Sequence, residues 1–354
     1  MQVSNKIAIV ILNWNGAHLF TKFLPSVIRH SLLDDTSIFV ADNGSTDNSI
    51  SYLKENFPQV NIIELGENYG FAKGYNLALQ QVNAENFVLL NSDIEVTKGW
   101  LTPCINQLDS SPEIAALQPK ILSYRNRNQF EYAGAAGGYI DRWGFPFCRG
   151  RILSVTEEDT GQYDSPASLF WATGACLFIR ASVFRESGGF DNDFFAHMEE
   201  IDLCWRLKNQ GWQIGFEPQS VVYHLGGATL SYQSPRKVFL NFRNNLWMLY
   251  KNLPKGKLVP VMFFRLILDG VAAVHFLSVG QFTAFYAVLK AHMAFYISLI
   301  CTIRKRKQLL LKVIKHEHPE IYKGSMALRF YLRNQKKFSE FGINTLESNN
   351  SRRK

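Results

Sequence analysis

Paired cysteines are missing from this 354-residue chain. Cys104, Cys148, Cys176, Cys204 and Cys301 are scattered, with no CxxC and no histidines at zinc-finger spacing. That excludes a disulfide scaffold and a zinc ribbon, and it predicts a reducing, cytosolic setting. No GxGxxG follows the first apolar strand, which excludes a dinucleotide site of Rossmann type. The first apolar run ends in Asn13-Trp14-Asn15 rather than at a cleavage site, so no signal peptide is expected. Internal repeats are absent. So is an uninterrupted apolar run of the roughly 20 residues a spanning helix needs. The cleanest stretch is 276–289, and 258–303 is interrupted by Arg265, Asp269, His275, Lys290 and His292.

Acidic residues run short in the back of the chain. Residues 1–232 hold 25 Asp and Glu against 16 Lys and Arg, a net of −9; residues 233–354 hold 5 against 22, a net of +17. An acidic front half argues against nucleic-acid binding. The basic, aromatic-rich back half suits an anionic membrane surface. Its helices are expected to lie in or dip into the interface, closed by Arg304-Lys305-Arg306-Lys307. Three parts follow: a catalytic domain over 1–232, a basic helical membrane-associated region over 233–340, and a disordered tail over 341–354.

From Lys6 to about Ala116 short apolar strands alternate with helical stretches, the pattern of βαβ units in an α/β fold. Strands are predicted at 7–13, 37–42, 60–65, 86–91 and 169–180, with 123–168 as long loops. The helix after Gly70 is expected to turn Phe71, Leu77, Ala78 and Val82 to one face. Asn68-Tyr69-Gly70 would offer free backbone N–H groups to an anion.

The richest segment is NFVLLNSDIE, 86–95, where a buried strand breaks into Asn91-Ser92-Asp93. Asn13–Asn15 and Asp42–Asp47 end two earlier strands in the same way. In open α/β sheets ligands sit at that edge, and a carboxylate there can hold a divalent cation against a phosphate. Asp42 and Asp93 are equally the residues that turns and helix caps favour. In HMEEIDLCWRLK, Glu199, Asp202 and Arg206 share a polar stripe read as a solvated face. Glu200 shares the apolar stripe of Leu203, Cys204 and Leu207, so it points inward as a candidate general base. His224 closes another strand-like run ahead of Gly226-Gly227, and imidazole suits Mn²⁺ beside carboxylate.

Taken in order, ILNWNG, ADNGSTD, ENYGFAKGYN, LLNSDIEV, ATGACLFIR, GGFDNDFFAHMEEIDLCWR and HLGGAT resemble glycosyltransferase family 2, in its bacterial rhamnosyltransferase-like branch. The motifs span about residues 6–230. The resemblance implies a GT-A fold, a mixed and mainly parallel sheet flanked by helices, with a nucleotide-diphosphate sugar donor, Mn²⁺ or Mg²⁺, and inversion at the anomeric carbon. It places Asp42 at the base and Asn13, Asn15, Asn68, Gly70, Lys73, Asn76, Asn91, Ser92 and Asp93 around the nucleotide sugar. The metal falls to Asp93 and His224, and the base to Glu200. Trp171, Thr173, Gly174 and Glu199, with the Phe190–Phe195 segment, are expected on the acceptor side. Two departures stand out: Asn91 replaces the first carboxylate of the usual Asp-x-Asp, and Glu200 replaces the usual Asp.

The expected activity is transfer of a sugar from a UDP- or dTDP-sugar, rhamnose-like for instance, to a hydroxyl of a membrane-linked glycan. A polyprenyl-diphosphate-linked acceptor at the cytoplasmic face of a bacterial inner membrane fits the basic, apolar back half. A nucleotidyltransferase is disfavoured because NWNGAHLF carries no Gly-rich phosphate loop. The other rival is a degenerate domain acting as a membrane scaffold or glycan-binding module, which Asn91 favours.

Overall fold

The computed structural model describes residues 5–32, 35–226 and 234–343. The Gly227–Thr229 end of the HLGGAT motif and most of the predicted tail lie outside them. The first six strands are β1 (Asn5–Asn13), β2 (Thr36–Asp42), β3 (Asn61–Glu64), β4 (Ala84–Asn91), β5 (Ile94–Val96) and β6 (Ile114–Ser123). Four short ones follow: β7 (Gly138–Asp141), β8 (Pro146–Cys148), β9 (Arg151–Ile152) and β10 (Val155–Thr156). Then come β11 (Ala167–Leu169), β12 (Cys176–Arg180), β13 (Gln213–His224) and, late in the chain, β14 (Ile321–Tyr322).

The main sheet runs β11-β13-β6-β12-β4-β1-β2-β3, with β5 paired to β13. β1 is parallel to both β2 and β4, and β13 is parallel to β6, whereas β12 is antiparallel to both its neighbours. This is the GT-A-like mixed α/β sheet. Both its faces are buried, which is why its strands read as near-continuous apolar runs. Successive side chains alternate between the two cores: Ala8, Val10, Phe87 and Leu89 enter one, and Ile7, Ile9, Ile11, Val88 and Leu90 the other. Register sets the strand ends abreast, Asn13 opposite Asp42 and Leu12 opposite Asn91. The polar clusters read from the sequence therefore do share one edge.

Three expectations about local structure are corrected. Residues 123–168 are not loops but carry β7–β10, which with β14 form a second, five-stranded sheet. Strands of two to four residues are too short to show a period. The 169–180 run is split, so that Phe170–Ala175 leaves the sheet between β11 and β12. The Gly70–Gln80 helix buries Ala72, Tyr75, Ala78 and Leu79, while Phe71 and Leu77 are only partly covered. Its anchor is Tyr75, whose ring fills the core and whose hydroxyl lies 3.3 Å from the Leu90 carbonyl. Gly74 lets the helix approach the sheet, because a Cβ there would stand 3.1 Å from Leu12.

Beyond β13 the described residues, β14 apart, are mainly helical: Pro235–Asn252, Lys255–Ser278, Phe282–Ile297, Leu299–Leu310 and Met326–Arg333. The Lys255–Ser278 helix is long and apolar enough to cross a membrane, and the next two together would qualify but for a 64° bend between them. Lys255 and Lys257 fall in its first turn, and the two charges farther along, Arg265 and Asp269, do not break its outer face. Arg265 and Asp269 pair at 2.8 Å with both side chains buried, and Asp269 also meets His292 at 3.1 Å. Val259, Phe263, Ile267, Val271 and Val274 stay exposed. Half of the basic cluster at 304–307 is turned inward: Lys305 donates to Asp191 and Asp193, and Arg306 to the Tyr250 carbonyl.

Candidate active site

A cavity of about 680 Å³ opens where the main-sheet edge meets the Pro235–Asn252 helix. Asn13, Asn15, Asn68, Gly70, Asn91, Ser92, Asp93, Trp171, Thr173, Gly174, Glu199, Glu200 and His224 all line it. Asp42, Lys73 and Asn76 do not, and each has a protein partner instead. Asp42 is buried under the edge and accepts from Asn13 Nδ2 at 3.0 Å and from the Ser45 N–H at 2.9 Å, the turn-building arrangement. The Lys73 ammonium sits 4.0 Å over the Tyr69 ring. Asn76 donates to the Phe190 carbonyl at 2.8 Å and accepts from its N–H at 3.0 Å, clamping the 190–192 segment.

The Gly70 helix start is not the open anion site the sequence suggested. The Tyr69 N–H is taken by Asn43 Oδ1, that of Gly70 by Asn68 Oδ1, and those of Phe71 and Ala72 by the Phe195 carbonyl. Gly70 is required there: its φ is +76°, and a Cβ would stand 2.5 Å from the Phe195 ring.

At the opposite wall, Asp93 Oδ1 lies 3.1 Å from His224 Nε2, and Glu131 Oε2 lies 3.1 Å from His224 Nδ1. Burial opposes the charge on His224, but the two flanking carboxylates win and push its pKa up to about 10. Burial likewise works to raise the Asp93 carboxyl, and the His224 charge overrides it, leaving the pKa lowered. The carboxylates sit on opposite nitrogens of one imidazole, and among the described residues no group of three His, Cys, Asp or Glu is placed to hold a metal ion. A Mg²⁺ or Mn²⁺ ion would fit here with the Asp93 carboxylate, and with His224 only once the imidazole gave up its Nε2 proton to the metal, the shell being completed by water and by a ligand's phosphates. Glu131 escaped the sequence reading because it lies in the stretch taken for loop.

Glu199 and Glu200 open the Glu199–Asn209 helix. Each has one buried carboxylate oxygen without a hydrogen-bond partner. Burial pushes Glu200 up to about 7, while burial and then the Glu200 charge push Glu199 well above the usual carboxylate range. The expected solvated stripe is overturned. Asp202 is 0% exposed, and Arg206 donates from Nε to Asp202 Oδ2 at 2.9 Å. The Pro235–Asn252 helix covers that face, with Lys251 Nζ and Asn252 Nδ2 each reaching Asp202 Oδ1.

The residues leading into this helix are strained: Phe195, His197 and Met198 have φ of 62°, 70° and 70°. Left-handed conformations cost non-glycine residues on the order of 1–3 kcal/mol each. One side chain holds them, for the Asn244 amide lies within 2.9 Å of the Phe194, Ala196 and His197 carbonyls. Arg236, Lys237, Asn241 and Asn245 of the same helix, with Arg151 and Arg265, also line the cavity. No motif marked them.

The family model described as "Glycosyl transferase family 2" matches residues 8–187. The chain belongs to that family. It is 28% identical over 229 residues to the N-acetylglucosaminyl-diphospho-decaprenol L-rhamnosyltransferase of Mycobacterium tuberculosis, covering 59% of this chain and 72% of that one. It is 23% identical to the low-salt glycan biosynthesis hexosyltransferase Agl10 of Haloferax volcanii, covering 58% and 64%. Among solved structures it is similar to GalNAc-T7 with UDP, GalNAc and Mn²⁺, at TM-score 0.55 and 16% identity over 71% of this chain. It is also similar to the Pyrobaculum calidifontis mannosyltransferase PcManGT with GDP-Man and Mn²⁺, at 0.50 and 14% over 89%. The chain spans about half, 48%, of the GalNAc-T7 chain and 88% of the mannosyltransferase. At these identities the structural likeness carries the fold alone, GT-A. This family 2 member is a glycosyltransferase.

Proposed function

We propose that this glycosyltransferase moves a sugar from a UDP- or dTDP-sugar to a hydroxyl of a polyprenyl-diphosphate-linked glycan, with inversion, at the cytoplasmic face of the membrane. The observation that carries the reading is Glu200. It is a cavity-lining carboxylate held near pKa 7 with an unpartnered oxygen, in the same cavity as the Asp93–His224 pair. Such a group is matched to taking a proton from an acceptor hydroxyl near neutral pH. Burial and the Glu200 charge both work against a second ionised carboxylate at Glu199 beside it. That favours a single displacement over the second, nucleophilic carboxylate that retention needs. Asn91, Ser92, Asp93 and His224 would orient the donor diphosphate. Mn²⁺ or Mg²⁺ held by Asp93 and His224 would supply Lewis-acid stabilisation of the leaving diphosphate. Trp171, Thr173 and Gly174 shape the acceptor side, with Phe195 closing it. The likeness to a diphospho-decaprenol rhamnosyltransferase supports a lipid-linked acceptor and a rhamnose-like donor, and that to a glycan-biosynthesis hexosyltransferase supports a glycan product.

Calorimetry with UDP-, dTDP- and GDP-sugars tests the donor. One nucleotide sugar is expected to bind in Mn²⁺ and to be lost in EDTA or in Asp93→Ala. Failure of every donor in every condition would sink the transferase reading in favour of the scaffold, which Asn91 in place of a carboxylate favours. The membrane reading rests on the exposed apolar face of the Lys255–Ser278 helix and the basic back half. The full chain is therefore expected to sediment with anionic vesicles; a chain that stays in the supernatant would remove the membrane from the proposal.

A further inference from the structure

The cavity is also lined by two buried arginines that the nucleotide reading does not use. Arg265 lines it with its side chain 4% exposed, its Nη2 paired to Asp269 at 2.8 Å and its guanidinium 3.8 Å from the centroid of the Phe145 ring. Its Nε and Nη1 have no hydrogen-bond partner. Arg151 lines the same cavity with its side chain buried. Nη1 reaches the Leu153 carbonyl and Nη2 the Cys148 sulfur, while Nε is unpartnered. A guanidinium stays charged, and although Asp269 offsets the Arg265 charge, buried N–H donors left open are costly unless a ligand completes them. Two guanidinia with open donors lining one cavity suit the oxygens of a diphosphate.

The position of Arg265 says which diphosphate. It is the inward-turned cation of the Lys255–Ser278 helix, whose outer face exposes Phe263, Ile267, Val271 and Val274. Ionisable residues on a membrane-facing helix that turn to a cavity mark a ligand path. A ligand whose lipid lies along that outer face brings its headgroup to Arg265.

We infer that Arg265 and Arg151 form a subsite for the diphosphate of a prenyl-type lipid, one that uses neither Asp93 nor His224. The inference rests on the transferase reading and names how its acceptor is held.

The test is calorimetry on the full-length chain in detergent with EDTA, which removes metal-dependent donor binding. The probes are farnesyl diphosphate, farnesol and inorganic pyrophosphate. Farnesyl diphosphate is expected to bind saturably, farnesol not at all, and pyrophosphate at least about tenfold more weakly. Arg265→Gln and Arg151→Gln should each weaken farnesyl diphosphate roughly tenfold, the worth of a charge-assisted hydrogen bond. Nucleotide-sugar affinity in Mn²⁺ should be unchanged. If Arg265→Gln does not fold, Arg265→Lys and Arg151→Gln decide, the lysine keeping the charge and losing the fork. No farnesyl diphosphate binding, equal affinity for pyrophosphate, or variants that bind as wild type would overturn the subsite. So would variants that weaken donor and lipid diphosphate alike. Donor binding without lipid-diphosphate binding leaves the transferase reading standing; no donor binding removes that reading separately.

Discussion

Glu200→Gln is expected to lower kcat by ~10³-fold, the scale on which a positioned base contributes, while nucleotide-sugar binding survives. The replacement keeps the shape and removes only the proton acceptor. In the wild type the acid limb of kcat/KM should fall with an apparent pKa about 7, because burial holds the carboxyl there rather than at its ordinary 4.5. The same shift has a stability consequence of opposite sign. Between pH 4.5 and 7 the folded state holds a proton that the unfolded chain has released. Stability is therefore greatest below this window and falls as pH rises through it. Glutamine does not titrate, so at pH 8 the inactive variant should melt above the wild type, by ~2–4 °C for each kcal/mol of relieved burial cost. A rate profile and a melting curve at pH 6 and 8 check both halves. Undiminished turnover in Glu200→Gln would remove it as the base. A variant that loses turnover and gains stability would exclude the scaffold reading, since a scaffold has no turnover to lose.

What the sequence made readable and what it hid separate along physical lines. The strand ends at Asn13, Asp42 and Asn91 were legible because a strand buried on both faces announces itself as a continuous apolar run, and its break fixes the sheet edge. The inward aim of Glu200 followed from helical spacing, since it shares a stripe with Leu203, Cys204 and Leu207. The burial of Asp202 and Arg206 was hidden because the helix that covers them begins at Pro235, across a change of composition that read as a boundary. Helical arithmetic gives a stripe and says nothing about what will cover it. Asp42, Asn76 and the Gly70 amides show the same limit for polar groups. Their residue types suit a ligand, and their hydrogen bonds go instead to Asn13, to the 190–192 segment and to Phe195. Arg151 was lost in a strand too short to pattern, and Glu131 in the irregular chain between β6 and β7.

That hidden cover leads to the largest stability effect. A fragment cut after residue 232 is expected not to fold. The Pro235–Asn252 helix and the residue after it bury Leu240, Leu246, Met248, Leu249 and Leu253. At ~1.5–3 kcal/mol each, these five alone reach the ~5–15 kcal/mol by which whole domains are stable. Polar losses add to this. Asp202 would lose Lys251 and Asn252, and the strained 195–198 turn would lose the Asn244 amide. Farther along, Lys208 would lose Glu320, Asn209 would lose His318, and β7 would lose its β14 partner. The helix is thus the outer wall of the Glu199–Asn209 helix, whatever its neighbours do at a membrane. Thermal melts of 1–232 and of 1–343 decide the point. The longer fragment should melt cooperatively and the shorter should show no transition, because the buried Asp202–Arg206 pair loses Lys251, Asn252 and its apolar cover together. A cooperative melt with nucleotide-sugar binding by 1–232 would show instead that the composition boundary is also a folding boundary.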